Sequence, residues 1–254
     1  GGALLLRLLL AYTTHGFSND IACFAAWADR IFTLGPGQFY SAEMFTDYPP
    51  GFMYVLYLIG ALRSLLQIPY YSDLHILLLK LPAILCDIAC GFLLYREAVK
   101  RLHFSDLQGI FAASAYLFQP AVILNSSCWG QVDSVYTLMI ILMCLFLMKG
   151  NLLPAYAVYG LGVLLKPQML IFTPVLLAGI WDHVFLQDFS WRKFFYNLCG
   201  GLVVICGMLL LCAPFGLTAA ISQYTSTLGS YEYAAINAYN FWGLLGMNWV
   251  DQNT

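Results

Sequence analysis

The sequence predicts an all-α membrane protein, a polytopic helical bundle, and three observations carry that prediction. Of 254 residues, 61% are hydrophobic and only 9% charged, against roughly 25% charged in a soluble domain. The charges gather in short clusters between long apolar runs. The longest runs reach the ~20 residues that a helix needs to cross a bilayer, and in lipid only helices and closed barrels satisfy their own backbone groups. An ordinary soluble enzyme and a disordered chain are excluded. With a net charge of −2, so is a basic nucleic-acid binder.

The elements are taken in chain order. Apolar runs over residues 3–13, 74–95, 107–124, 132–148, 152–165, 169–185 and 194–215 are predicted to be seven spans. A further run, 51–66, is assigned by charge. Placed in the interface, it leaves Arg7, Arg96, Lys100, Arg101, Lys149, Arg192 and Lys193 on one face, as the excess of Lys and Arg in cytoplasmic loops requires. Residues 17–72, 125–131 and 216–254 then face outside. Tyr40, Tyr48, Tyr54, Tyr57, Tyr70 and Tyr71 suit such an interfacial stretch, where amphipathic rings concentrate.

Within the first outer loop, residues 17–72, Ser18 or Asn19 is expected to cap a helix over 20–34. Ile21, Phe24, Ala25, Ala28, Ile31 and Phe32 recur at helical spacing, and Gly35-Pro36-Gly37 ends it. Two juxtamembrane helices thus occupy this loop, joined by residues 38–47. The whole chain, 1–254, reads as one transmembrane module. It stops at Asn253-Thr254 without a closing element, so a fragment is expected. Cys86, Cys90, Cys144, Cys199, Cys206 and Cys212 lie inside apolar runs and read as small buried hydrophobes. No CxxC or Cys/His cluster suggests zinc.

Ionisable groups in spans cost roughly 2.5–3.5 kcal/mol each on insertion scales, so each needs a reason. Asp20, Asp47, Asp133 and Lys166 come from four separate segments yet fall at one depth, the outer boundary. Shared depth marks a site. Plainer roles stay open: Asp20 as a first-turn helix charge, Asp47 and Asp133 as helix caps. Lys80 and Asp87, seven residues apart on one helical face, suit a structural pair. Lys166 ends a short run and precedes Pro167, a position suited to meeting an anion. His15, His75, His103 and His183 are isolated, and Asn125-Ser126-Ser127 matches a glycosylation sequon too close to the membrane to serve.

Asn19-Asp20 after the first span, an interfacial helix, and then Asp47-Tyr48-Pro49-Pro50-Gly51 resemble the first outer loop of GT-C glycosyltransferases. Trp129-Gly130-Gln131-Val132-Asp133, Lys166-Pro167-Gln168 and Asn237-Ala238-Tyr239-Asn240-Phe241-Trp242 continue the likeness in family order. These are membrane enzymes that move a sugar from a polyprenyl phosphate to an acceptor. The chain looks similar to the dolichyl-phosphate-glucose-dependent glucosyltransferases and to bacterial relatives that include mannosyltransferase homologues. The resemblance implies a module of about seven spans without the family's C-terminal ones. It also implies inverting hexose transfer on the outer or lumenal face of the plasma or endoplasmic reticulum membrane.

Asp20 would then be the catalytic base, taking the acceptor hydroxyl's proton, and Lys166 would hold the departing phosphate. Asp47, Tyr48, Trp129, Gln131, Asp133, Gln168, Asn240 and Trp242 would bind substrate, with Tyr231 and Tyr233 as further aromatic platforms. Expected partners are the polyprenyl-phosphate sugar, a lipid-linked or glycan acceptor and membrane lipids, with no nucleic acid. No cofactor is expected, and without an Asp-x-Asp pair no metal. Two rivals remain. A transporter or flippase of lipid-linked sugars would show an inverted repeat, and none is visible. A non-catalytic partner in a membrane complex would use its charges to pair between subunits.

Overall fold

A computed structural model describes residues 1–41, 45–187, 189–229, 233–235 and 241–251. Among the described residues every element is helical, apart from isolated bridges at Tyr233–Asp251 and Ala235–Asn248. Helix α1 (Gly2–Thr13) leads into α2 (Ser18–Leu34). Helix α3 (Pro50–Leu65) opens on a proline, whose missing N–H costs nothing in a first turn. Helix α4 (Asp73–Lys100), capped by the Ser72 side chain, is the longest. A capping box of Ser105 and Gln108 starts α5 (Asp106–Leu117).

Pro120 then breaks the path. Helix α6 (Pro120–Ile123) continues as a π-helical turn, Leu124–Trp129, bent by 53° from α5. Helices α7 (Asp133–Met148) and α8 (Leu152–Leu165) form a tight hairpin. A 3-10 segment leads into α9 (Thr173–Trp181), followed by α10 (Trp191–Cys212), α11 (Leu217–Gly229) and α12 (Phe241–Leu244).

Three helical stretches are long and apolar enough to cross a bilayer: Asp73–Lys100, Pro167–Leu186 and Trp191–Phe215. The pair Asp106–Leu117 and Pro120–Trp129, bent by 53°, has the length and apolarity of a fourth when taken as one broken span. Length marks no more of the expected seven, because α1, α7 and α8 have 12, 16 and 14 residues, short of the ~20 of a full crossing. An apolar run marks burial in protein and contact with lipid alike.

The interfacial stretch also differs from expectation. Helix α3 is packed inward: Phe52, Met53 and Leu56 are fully buried. A Cβ on Gly51 would fall 2.5 Å from Leu164 O, and one on Gly60 equally close to Ala28 O. Around Phe24, the rings of Trp27, Tyr48 and Phe52 stand edge-on at 5.6 Å, a geometry that the ring quadrupoles favour. This aromatic core adjoins the polar cluster through Tyr48, whose ring lies 5.7 Å from the Lys166 ammonium.

The interior charges pair otherwise than their spacing suggests. Arg7 is not on a basic face but fully buried, with Nε donating to Asp87 Oδ2 at 3.2 Å. Lys80 does not meet Asp87. Its Nζ donates to the carbonyls of Thr14 (2.7 Å), Ser127 (3.0 Å) and Ala11 (3.2 Å). The cysteines divide as well: Cys90 and Cys212 are buried, but Cys199 and Cys206 are exposed on α10.

Candidate functional site

At the end of the bundle where α2, α3 and α7 begin and α8 ends, polar side chains converge. Asp20 lies in the first turn of α2. Trp129 Nε1 donates to its Oδ2 at 2.9 Å, and Gln131 Nε2 donates to the same oxygen at 2.6 Å. Tyr48 OH donates to Gln131 Oε1 at 3.4 Å, so the amide has its donor side towards the carboxylate and its acceptor side towards the phenol. Lys166 forms an ion pair with Asp133, and Asn125 Nδ2 donates to the other Asp133 oxygen at 2.9 Å. The Lys166 ammonium sits 5.7 Å from the Tyr48 ring centroid and 5.6 Å from that of Tyr136, within cation–π range. Five segments thus join in one chain of contacts.

The local fold explains the positions. The π-helical turn carries one residue more per turn than an α-helix, which re-aims the residues after it. Gly130 ends it at φ +88°. A Cβ there would fall 2.6 Å from Ile21 Cδ1, and one on Gly16 2.7 Å from Trp129 O, so only glycine lets the link between α1 and α2 lie against the turn. The Phe17 N–H donates to Trp129 O at 2.8 Å. Phe17 therefore takes the N-cap position of α2, and the predicted Ser18 or Asn19 cap is unused. Asp47 and Asp133 do not cap either: Pro49 and Val132 hold those positions.

Lys166 is 9% exposed and is paired with Asp133, while the partners of Asp20 are the neutral donors of Trp129 and Gln131. Burial first, then the Asp47 and Asp20 carboxylates, push the Cys23 thiol up from its ordinary value. Trp129 is 50% exposed, its ring 4.9 Å from that of Phe17. Asn125 Oδ1 is buried with no partner. No group of three His, Cys, Asp or Glu side chains among the described residues is arranged to hold a metal ion.

Of the residues singled out from sequence, Asp20, Tyr48, Trp129, Gln131, Asp133 and Lys166 meet here, with Asp47 close by. Gln168 is exposed beyond Lys166 and makes none of these contacts. Trp242 is exposed on α12, packed on Phe241 at 5.5 Å, and Tyr233 packs on Trp249. Asn240 and Tyr231 lie outside the described residues. Sequence reasoning missed Asn125 and Tyr136, whose partners lie at no helical spacing. Lys80 did carry a signal, as a lone cation in an apolar run.

The family model described as the GPI transamidase subunit PIG-U matches residues 5–236, a stretch that takes in this whole cluster. The chain belongs to the PIG-U family. A comparison with curated proteins gave no match. Membership of the PIG-U family overturns the expected hexosyltransferase activity and, with it, the transporter or flippase alternative. In the cluster, Asp20 Oδ2 accepts two hydrogen bonds and Lys166 is paired with Asp133. The motifs that resemble GT-C enzymes stand in a PIG-U chain, where a polyprenyl-phosphate sugar donor has no support. A subunit of a membrane complex is the expectation that PIG-U membership meets.

Proposed function

We propose that this chain is the membrane-embedded, non-catalytic subunit of a GPI transamidase, and that the face formed by Asp20, Trp129 and Gln131 receives the glycan of the GPI lipid. One observation carries this reading. A half-exposed indole stands beside a carboxylate whose Oδ2 accepts both neighbouring donors, leaving Oδ1 to accept from a sugar hydroxyl. Aromatic faces pack on the C–H side of a sugar ring, and a few placed polar groups fix its orientation. Asp47, Tyr48, Asp133 and Lys166 form the base of the face. The Asp20 carboxylate repels a phosphate placed beside the indole, so the glycan rather than the phosphodiester belongs here.

In this reading α1, α7 and α8 complete seven crossings around α4. The acidic and aromatic end is lumenal, because the basic end follows the cytoplasmic preference of Lys and Arg. The test is Trp129→Ala in the assembled transamidase. GPI affinity should fall about tenfold, as for loss of one or two net hydrogen bonds and a stacked ring, while the complex still assembles. Unchanged GPI affinity in an intact complex removes the glycan face. Failure of the wild-type chain to co-purify with transamidase subunits removes the subunit reading.

A further inference from the structure

Asp20 carries a charge that no side chain of the protein balances. Both donors on its Oδ2, Trp129 Nε1 and Gln131 Nε2, are neutral. Among the described residues, which include every Lys, Arg and His of the chain, none forms an ion pair with it. Asp29, Asp87, Glu97 and Asp133, in contrast, each face an arginine or a lysine. The two lysines packed into this end are engaged elsewhere. Lys166 is paired with Asp133, and Lys80 Nζ donates to the carbonyls of Ala11, Thr14 and Ser127. The first-turn position of Asp20 on α2 supplies only the partial positive charge of a helix N-terminus, about half a unit.

We infer that the missing cation belongs to the ligand: Asp20 Oδ1 receives the primary ammonium of an amino sugar whose ring packs on the Trp129 indole. This rests on the glycan face proposed above, and it narrows the donor at Oδ1 from a hydroxyl to an ammonium. A hydroxyl would fill an acceptor site and leave the charge unmatched. An ammonium brings a donor and a unit positive charge together. Trp129 is 50% exposed, with the Phe17 ring against it at 4.9 Å and 30°, so the indole is braced yet still presents apolar surface to a sugar. The amine is carried on the sugar itself. At the end of a phosphoethanolamine arm it would bring a phosphate within a few bonds of the same carboxylate, and like charges that close repel. An N-acetyl group on the amine would remove the charge.

The experiment is competition against the GPI lipid on the assembled transamidase, with methyl glucosaminide, methyl N-acetylglucosaminide, methyl glucoside and phosphoethanolamine as soluble probes. The glucosaminide should displace GPI at roughly fivefold lower concentration than either neutral sugar, the upper end of what an exposed ion pair contributes. Phosphoethanolamine should compete least. Asp20→Asn should bring the three sugars to one concentration. Asp20→Glu, which keeps the charge, should retain a preference for the amine. The inference is overturned by an amine preference that survives in Asp20→Asn, or by phosphoethanolamine competing as well as the glucosaminide. Equal competition by the three sugars on the wild type overturns it too, and leaves the glycan face standing. Competition by none of the sugars removes the glycan face itself, and the inference with it.

Discussion

Two carboxylates of this chain, Asp87 and Asp20, each anchor a polar cluster, and their surroundings differ in kind. Asp87 accepts four hydrogen bonds, two on each oxygen: from Arg7 and Ser126 at 3.2 and 2.6 Å, and from Tyr116 and Ser134 at 3.2 and 2.6 Å. These donors come from α1, the π-helical turn, α5 and α7, and Arg7 and Asp87 are fully buried. Asp20 accepts two bonds on one oxygen and is half-exposed. A carboxylate with every acceptor site filled in a low-dielectric interior has nothing left to offer a ligand; it joins helices. One with an oxygen to spare beside an exposed indole can still bind. Intramembrane charge alone therefore does not identify a site. Unfilled valence does.

The largest effect should come from breaking the interior pair. Arg7→Met leaves Asp87 as a buried charge without its counter-ion, which costs about 3–5 kcal/mol. Thermal melting in detergent should show it. Arg7→Met combined with Asp87→Leu should recover most of the loss, because no charge is then stranded. A harmless single substitution would erase the contrast between the two clusters.

Lys80→Met comes next. The carbonyls of Ala11, Thr14 and Ser127 would lose their common donor, at about 1–3 kcal/mol for groups left unsatisfied. The π-helical turn would loosen as well, so melting and GPI affinity should fall together. A stability loss with unchanged GPI affinity would separate the turn from the glycan face.

Asp20→Asn should have the smallest effect on folding, about 0.3–1 kcal/mol from the first-turn helix charge. GPI affinity should nonetheless drop about tenfold with loss of the charged acceptor. If melting falls by several kcal/mol and affinity holds, Asp20 is another structural rivet and the comparison fails.

The sequence made part of this visible. Shared depth groups Asp20, Asp47, Asp133 and Lys166, and of these Asp20, Asp133 and Lys166 are joined through Gln131 and Tyr48. The apolar spacing of α2 and its end at Gly35 also hold. Lys80 and Asp87 show the limit: a separation of seven places two residues on one helical face, but says nothing of partners 80 or 47 positions away on other helices. Span number was legible only in part for a related reason: a helix buried among helices is as apolar as one in lipid, and length alone marks three or four of the seven expected spans. Function was least legible. An aromatic ring beside a carboxylate and an amide suits a sugar whether or not it is transferred, so the residue types that resemble GT-C motifs mark a surface chemistry and not a reaction.

The grip of Lys80 has a mechanical consequence. Its single nitrogen holds the end of α1 through Ala11 and Thr14 and, on the other side, the turn that carries Trp129 through Ser127. Together with the Phe17 N–H on Trp129 O, this ammonium ties the rim of the molecule to the end of its first helix. Any tilt of α1, such as a docking neighbour would impose, is handed across about one ammonium's width to the indole. The position of the Trp129 indole then follows how α1 is seated.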